Sequence, residues 1–138
     1  MESILLKKYA EILHDEEKQI FHLIFKDDIS DTDYKDVWEI LLKSALENNS
    51  RKMIIDQRNI GKVNMSARAW LLTNWIPRAK KKLGNEFTAA ILSSSYVIHK
   101  AGIRYLVSGI QKLTSFNIKF VESEHEGESW LLTANKAA

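Results

Sequence analysis

Arg51-Lys52-Met53-Ile54-Ile55-Asp56-Gln57-Arg58-Asn59-Ile60 is the stretch whose reading decides the fold. Met53-Ile54-Ile55 is a short apolar run closed by Asp56. A run of this kind reads as a strand buried on both faces, the centre of a parallel sheet. Polar residues cluster from Gln57 to Asn64 in a loop over 57–65 that contains Gly61, and a helical pattern starts near Ser66. A strand–loop–helix junction of this type is where an α/β domain carries a site.

The helix after the junction has Ala67, Trp70, Leu71, Trp75 and Ala79 on its apolar stripe. Pro77 lacks the amide that would bond to Thr73 and disfavours helical geometry at Ile76. A kink or restart is expected there, with Trp70 in the core and Trp75 partly outside. Lys80, Lys81 and Lys82 precede Gly84, which suits a last helical turn and its stop.

Upstream, Lys8 to His14 reads as a first strand and Lys18 to Lys26 as a second. Ile20, His22 and Ile24 alternate with Phe21, Leu23 and Phe25. The short break between the two strands makes them an antiparallel hairpin. His22 reads as a partly covered histidine. Ser30 is a natural N-cap, and Asp31 and Asp33 suit the helix that runs from there to about Glu47.

Downstream, Glu86 to Leu92 reads as a strand and Tyr96 to Leu113 as a helix. Asn117 to Val121 is a last strand, and Ser123-Glu124-His125-Glu126 is a capping box that opens a short helix with Trp130 and Leu131. The order is ββαβαβαβα. It describes a single small α/β domain in which an N-terminal antiparallel hairpin leads into a mostly parallel sheet with helices on both faces. The core spans about 9–132, and 133–138 is expected to fray.

At 138 residues the chain has the size of one domain. It has no cysteine, which excludes disulfides and thiol chemistry. No apolar run reaches membrane-spanning length and no signal-peptide pattern is present, so a cytoplasmic protein is expected. Residues 1–50 hold six Lys/Arg against twelve Asp/Glu, whereas residues 51–116 hold twelve against two. The segments are expected to neutralise one another on folding, and the overall balance does not argue for nucleic acid.

The four histidines are scattered without ligand spacing, so no metal site is expected. There is no nucleophile elbow, no P-loop and no dinucleotide fingerprint. No cofactor is expected, and no catalytic constellation can be named. Asp56 holds the place of a receiver-domain phosphoacceptor. The lysine such domains need after the last strand is missing, and the first strand enters a hairpin, so that reading is disfavoured. Asp56 is expected instead to accept loop amides and set the turn.

Taken together, the opening hairpin, Met53–Asp56 with its Asp-x-Arg continuation, the tryptophan-containing helix, Thr88–Leu92 and the acidic approach to Trp130-Leu131 resemble the SpoIIAA-like fold. This is the fold of STAS domains (sulfate transporter and anti-sigma-factor antagonist) and their STAS-like relatives. The resemblance covers about Tyr9 to Leu132. Sporulation-type antagonists carry a phosphorylatable serine in an Asp-Ser-Ser-Gly context, and Asn64-Met65-Ser66-Ala67 takes that place here. Ser66 matches the serine, while the preceding aspartate and following glycine are absent. Ordinary N-capping is the plain reading of Ser66.

The resemblance implies a non-enzymatic regulatory domain that binds a protein partner through the helix and the loop 57–66. Asp56, Gln57, Arg58, Asn59, Asn64, Trp70, Trp75 and Arg78 are the candidate surface residues, and Ser66 the candidate phosphoacceptor. A domain holding a small apolar or anionic ligand or a lipid in a cavity near Trp75, Phe87 and Tyr105 is the alternative. A homodimer is compatible with either.

Overall fold

The computed structural model describes residues 1–84, 86–93 and 117–134. The helix expected over 96–113, the loop residues Ser94 and Ser95, and Tyr105 lie outside them. The strands are β1 (Glu2–Leu6), β2 (Ala10–Asp15), β3 (Ile20–Phe25), β4 (Lys52–Asp56), β5 (Thr88–Leu92) and β6 (Asn117–Val121). They lie side by side in that order in one sheet. The β1/β2 and β2/β3 pairs are antiparallel, and the pairs from β3 to β6 are parallel.

Helix α1 (Asp31–Glu47) joins β3 to β4. A continuous helical segment follows β4: α2 (Met65–Trp70), a π turn (Leu71–Trp75) and α3 (Ile76–Leu83). Helix α4 (Glu124–Ala134) follows β6.

The alternation in β3 sorts the two layers. Phe21, Leu23 and Phe25 join Met53 and Ile55 of β4 and Ala89 of β5 in a core covered by α1 and α3. Ile20, Ile54, Ala90, Leu92 and Val121 face the other way and are covered by Leu131 and Trp130 of α4. Helices therefore lie on both faces. Met53, Ile54 and Ile55 are all buried. Burying each such side chain contributes about 1.5–3 kcal/mol.

The expected hairpin is present, but it is the second half of a three-stranded meander. Strand β1 has no counterpart in the sequence reading. Ile4-Leu5-Leu6 does not alternate, and a register shift between Ser3 and Leu5 explains why. That bulge, with Lys7 and Lys8 next to it, also breaks up the free edge of the sheet.

The capping predictions hold at α1 and α4. Ser30 accepts from the Asp33 amide at 3.2 Å. Ser123 accepts from the Glu126 amide at 3.1 Å. Glu126 reaches back to the Glu122 amide at 3.0 Å, one residue before the box would place it. Gly84 ends α3 with φ of 82°, a conformation glycine adopts without strain.

The two tryptophans of the middle helix exchange their expected places. Trp75 is 2% exposed and Trp70 is half-buried. The π turn is the reason. The Ile76 amide bonds to the Leu71 carbonyl five residues back, so the helix widens just before Pro77. The proline then falls in the first turn of α3, where its missing amide costs little. The wider turn shifts the helical phase and carries Trp75, Ile76 and Ala79 into the core. Trp75 donates from Nε1 to the Trp38 carbonyl at 2.7 Å. Its ring lies 4.8 Å from Trp38 and 6.3 Å from Phe87, both edge-on. Trp75 and Phe87 are thus core residues.

His14 shares this layer. It stacks on Phe21 at 4.2 Å, is 1% exposed, and neither ring nitrogen has a hydrogen-bond partner. A buried polar group without a partner is a net loss. Replacing it with a residue of similar volume, His14→Leu, is expected to raise stability by about 1 kcal/mol. A higher urea midpoint at unchanged slope is the measurement, and a lower midpoint would refute the assignment.

Candidate functional site

The carboxyl edge of the parallel strands brings together the β3–α1 loop, the loop 57–64 and the start of α2. Asp56 ends β4 and is 7% exposed. Arg58 folds back onto it. The Arg58 backbone amide and Nε each donate to Oδ1 at 3.1 Å, and Nη2 donates to Oδ2 at 2.9 Å. The Asp-x-Arg motif is thus a local clasp. Asp56 sets the turn as expected and spends its acceptor capacity doing so. The hydrogen bonds from Arg58 to Asp56 raise the guanidinium pKa, so Arg58 stays charged. The Gln57 amide donates to the Leu92 carbonyl at 2.8 Å, which continues the sheet one step further.

The two neighbouring loops are hooked together. Gly61 donates its amide to the Asp27 carbonyl at 3.1 Å, and Ile29 donates to the Lys62 carbonyl at 3.2 Å. The Lys62 amide donates to Asp28 Oδ1 at 2.7 Å, and the Asp28 amide to Asp27 Oδ1 at 2.7 Å. Glycine is required at 61 because a Cβ there would stand 2.1 Å from Asp28 Oδ1 and 2.5 Å from the Asp28 nitrogen.

Helix α2 begins at Met65, with Asn64 in the N-cap position but making no side-chain cap bond. Ser66 is therefore not the cap. It sits inside the first turn and donates from Oγ to Asp31 Oδ2 at 3.1 Å. Asn59, Asn64, Met65 and Ser66 are exposed, and Met65 is 78% exposed. Trp70 keeps part of its ring accessible, with the Lys35 ammonium 5.8 Å above it.

Arg78 lies away from this group. Its Nε donates to Asn74 Oδ1 at 2.8 Å, and its guanidinium pairs with both carboxylate oxygens of Glu39 on α1. These hydrogen bonds hold the Glu39 carboxyl below the ordinary range. The pair's contribution is present above the unfolded carboxylate value of about 4.3 and is lost as pH falls through the folded one. Arg78 joins α3 to α1, one bridge between the acidic first third and the basic middle of the chain. Lys80, Lys81 and Lys82 make no ion pair among the described residues, and they complement the end of α3.

The structure thus gathers Asp56, Gln57, Arg58, Asn59, Asn64, Ser66 and Trp70 around one edge. Trp75 belongs to the core and Arg78 to the α1–α3 contact. The sequence reading overlooked Met65 and Lys35. Met65 stands beside Ser66, but nothing in its spacing marks an exposed residue. Among the described residues, no group of three metal-ligating side chains is assembled.

The same fold is found in an uncharacterized DUF3478-family protein from Shewanella loihica PV-4, described as having a SpoIIAA-like fold. The match has a TM-score of 0.58 at 22% identity and covers 95% of this chain and 98% of that one. The fold is SpoIIAA-like. No protein-family model matches the sequence, and no curated protein does. No helix among the described residues is long and apolar enough to cross a membrane.

Gly61→Ala tests the loop clasp. It is expected to cost about 1–3 kcal/mol and to free the loop from Asp28. Faster amide exchange at Gly61 and Lys62, together with a lower unfolding midpoint, would show this. Unchanged protection would contradict it.

Proposed function

We propose that this chain is a non-enzymatic regulatory or interaction domain whose partner protein docks on the loop 57–66 and α2. The observation that carries this reading is a rigidly supported but outward-facing segment. Backbone bonds to Asp27 and Asp28 hold the loop from beneath, while Asn59, Asn64, Met65 and Ser66 face solvent beside the half-buried Trp70. A surface already ordered loses little conformational entropy on binding. Tryptophan is enriched among residues that dominate binding energy, and methionine among interface residues.

Several polar groups at this edge engage one another, while Asp31 Oδ1 and Ser93 Oγ are buried without a hydrogen-bond partner. Asp56 is taken by Arg58, Asp28 by Lys62 and Ser66 by Asp31. These bonds hold the loops and α2 in place, which supports the reading of this edge as a binding surface. Phosphorylation of Ser66 would break its bond to Asp31 and set a second negative charge beside that carboxylate. It would therefore change this surface directly.

A photo-crosslinking residue in place of Met65 should capture a discrete protein in the source cell, whereas the same residue in place of Leu6 should not. Trp70→Ala should weaken the isolated complex by about thirtyfold, the scale of a hot-spot residue. Equal capture from both positions would defeat the reading. So would a small molecule that co-purifies, by native mass spectrometry, with no protein partner.

A further inference from the structure

On the opposite side of the sheet, His22 lies beneath α4. Its ring is 2% exposed. Nδ1 stands 3.4 Å from Glu124 Oε1 at the start of the helix, and Nε2 is buried with no hydrogen-bond partner. The helix lies close on the sheet. A Cβ added at Gly127 would be 3.3 Å from Val121 Cγ2, 3.4 Å from Ala90 Cβ and 3.7 Å from Ile54 Cδ1. Ile54 is the β4 neighbour of His22 in register.

A neutral imidazole can occupy this position. An imidazolium has two N–H donors and a full charge, and here only one side offers an acceptor. The charged groups around the ring come from three elements. Glu124 and Glu128 project from α4, Asp15 ends β2, and Lys18 lies in the β2–β3 turn, where it pairs with Glu128 at 3.1 Å. Two more acids occupy the same sheet face but have partners. Asp56 is held by Arg58 at 2.9 Å, and Glu11 by Lys26 at 3.6 Å. Burial and Lys18 oppose the charged ring, while Glu124, Glu128 and Asp15 favour it. Burial is the largest effect, so His22 is held below the ordinary histidine value.

We infer that α4 is an acid-released clasp: protonation of His22 loosens the helix from the sheet and uncovers the apolar face formed by Ile20, Ile54, Ala90, Leu92 and Val121. In the released state His22 is hydrated and takes up its proton near the ordinary value of about 6.5. The docked state binds that proton only at lower pH. Docking is therefore complete above about 6.5 and weakens as pH falls below it, by up to about tenfold per pH unit until the docked value is reached. The aromatic layer beneath α1 and α3 stands on the other face and stays packed.

Hydrogen exchange on the full chain between about pH 7.5 and about pH 5 tests this, once the intrinsic pH dependence of exchange is removed. The α4 amides should lose protection about tenfold relative to those of β3 and β4 as pH falls. His22→Leu should abolish that loss, which separates His22 from His14, His99 and His125. Should His22→Leu not fold, Glu124→Gln serves. It removes the nearest carboxylate, so the docked His22 ring should titrate at lower pH and the loss of α4 protection should extend further toward low pH, with its onset staying near about 6.5. Undiminished α4 protection, uniform loosening of β3 and β4, or unchanged pH dependence in either variant would overturn the inference.

Discussion

The burial of β4 on both faces is the constraint on which the rest of this structure depends. Met53 and Ile55 need a layer on one side of the sheet and Ile54 needs one on the other. The first layer is α1 with α3, and the second is α4. The same burial dictates how the strand ends. Asp56 is the last residue of β4 and is still buried, so its charge requires a partner nearby. Arg58 supplies it from two residues on, and the backbone amide of Arg58 joins in. This pairing turns the chain out of the sheet and toward Asp27 and Asp28. The exposed loop is thus a consequence of how the central strand is terminated.

The second determinant is the proline in the middle helix. An uninterrupted α-helix through Pro77 would lose a hydrogen bond and crowd the preceding turn. The π turn over Leu71–Trp75 takes up that misfit before the proline is reached. In doing so it changes which tryptophan is anchored. Trp75 enters an aromatic row that runs through Phe25, Tyr34, Trp38 and Phe87. Trp70 is left at the boundary, under Lys35. A backbone irregularity therefore separates the residue that stabilises the fold from the one offered to a partner.

The strands with clean patterns were legible in the sequence. Ile20 to Phe25 is a strand-length run apolar at every position but His22, Met53 to Ile55 is continuously apolar, and the caps at Ser30 and Ser123 have the right spacing. The rest was hidden for definite reasons. Strand β1 carries a bulge, which erases the period of two. The exchange of Trp70 and Trp75 depends on a wider helical turn, which a count of 3.6 residues per turn cannot foresee. Ser66 looks like a cap by residue type, but the cap position falls on Asn64, and the Ser66 bond goes to Asp31 across a separation of 35 residues. The Asp56–Arg58 clasp was within reach, because an Asp-x-Arg step at a strand end places both partners locally.

The two layers differ in how they are held, and the difference bears on function. The α1–α3 layer carries the aromatic row, the Trp75 hydrogen bond and the Arg78–Glu39 pair. Among the described residues, the α4 layer rests on a smaller apolar cluster, on Gly127 lying close to the sheet, on the Lys18–Glu128 ion pair and on Glu124 standing beside the His22 ring. Local opening occurs preferentially where few apolar contacts and more solvent-exposed bonds hold an element. The α4 layer is that element among the described residues. Its first residue also stands near both centres. Glu124 lies 3.4 Å from His22 and contributes to the field at Arg58, which in turn clamps Asp56. A movement of α4 therefore alters the electrostatics of the residue that fixes the loop 57–64. The less firmly held face and the presented face share β4 between them, with Ile54 and Asp56 both pointing toward α4.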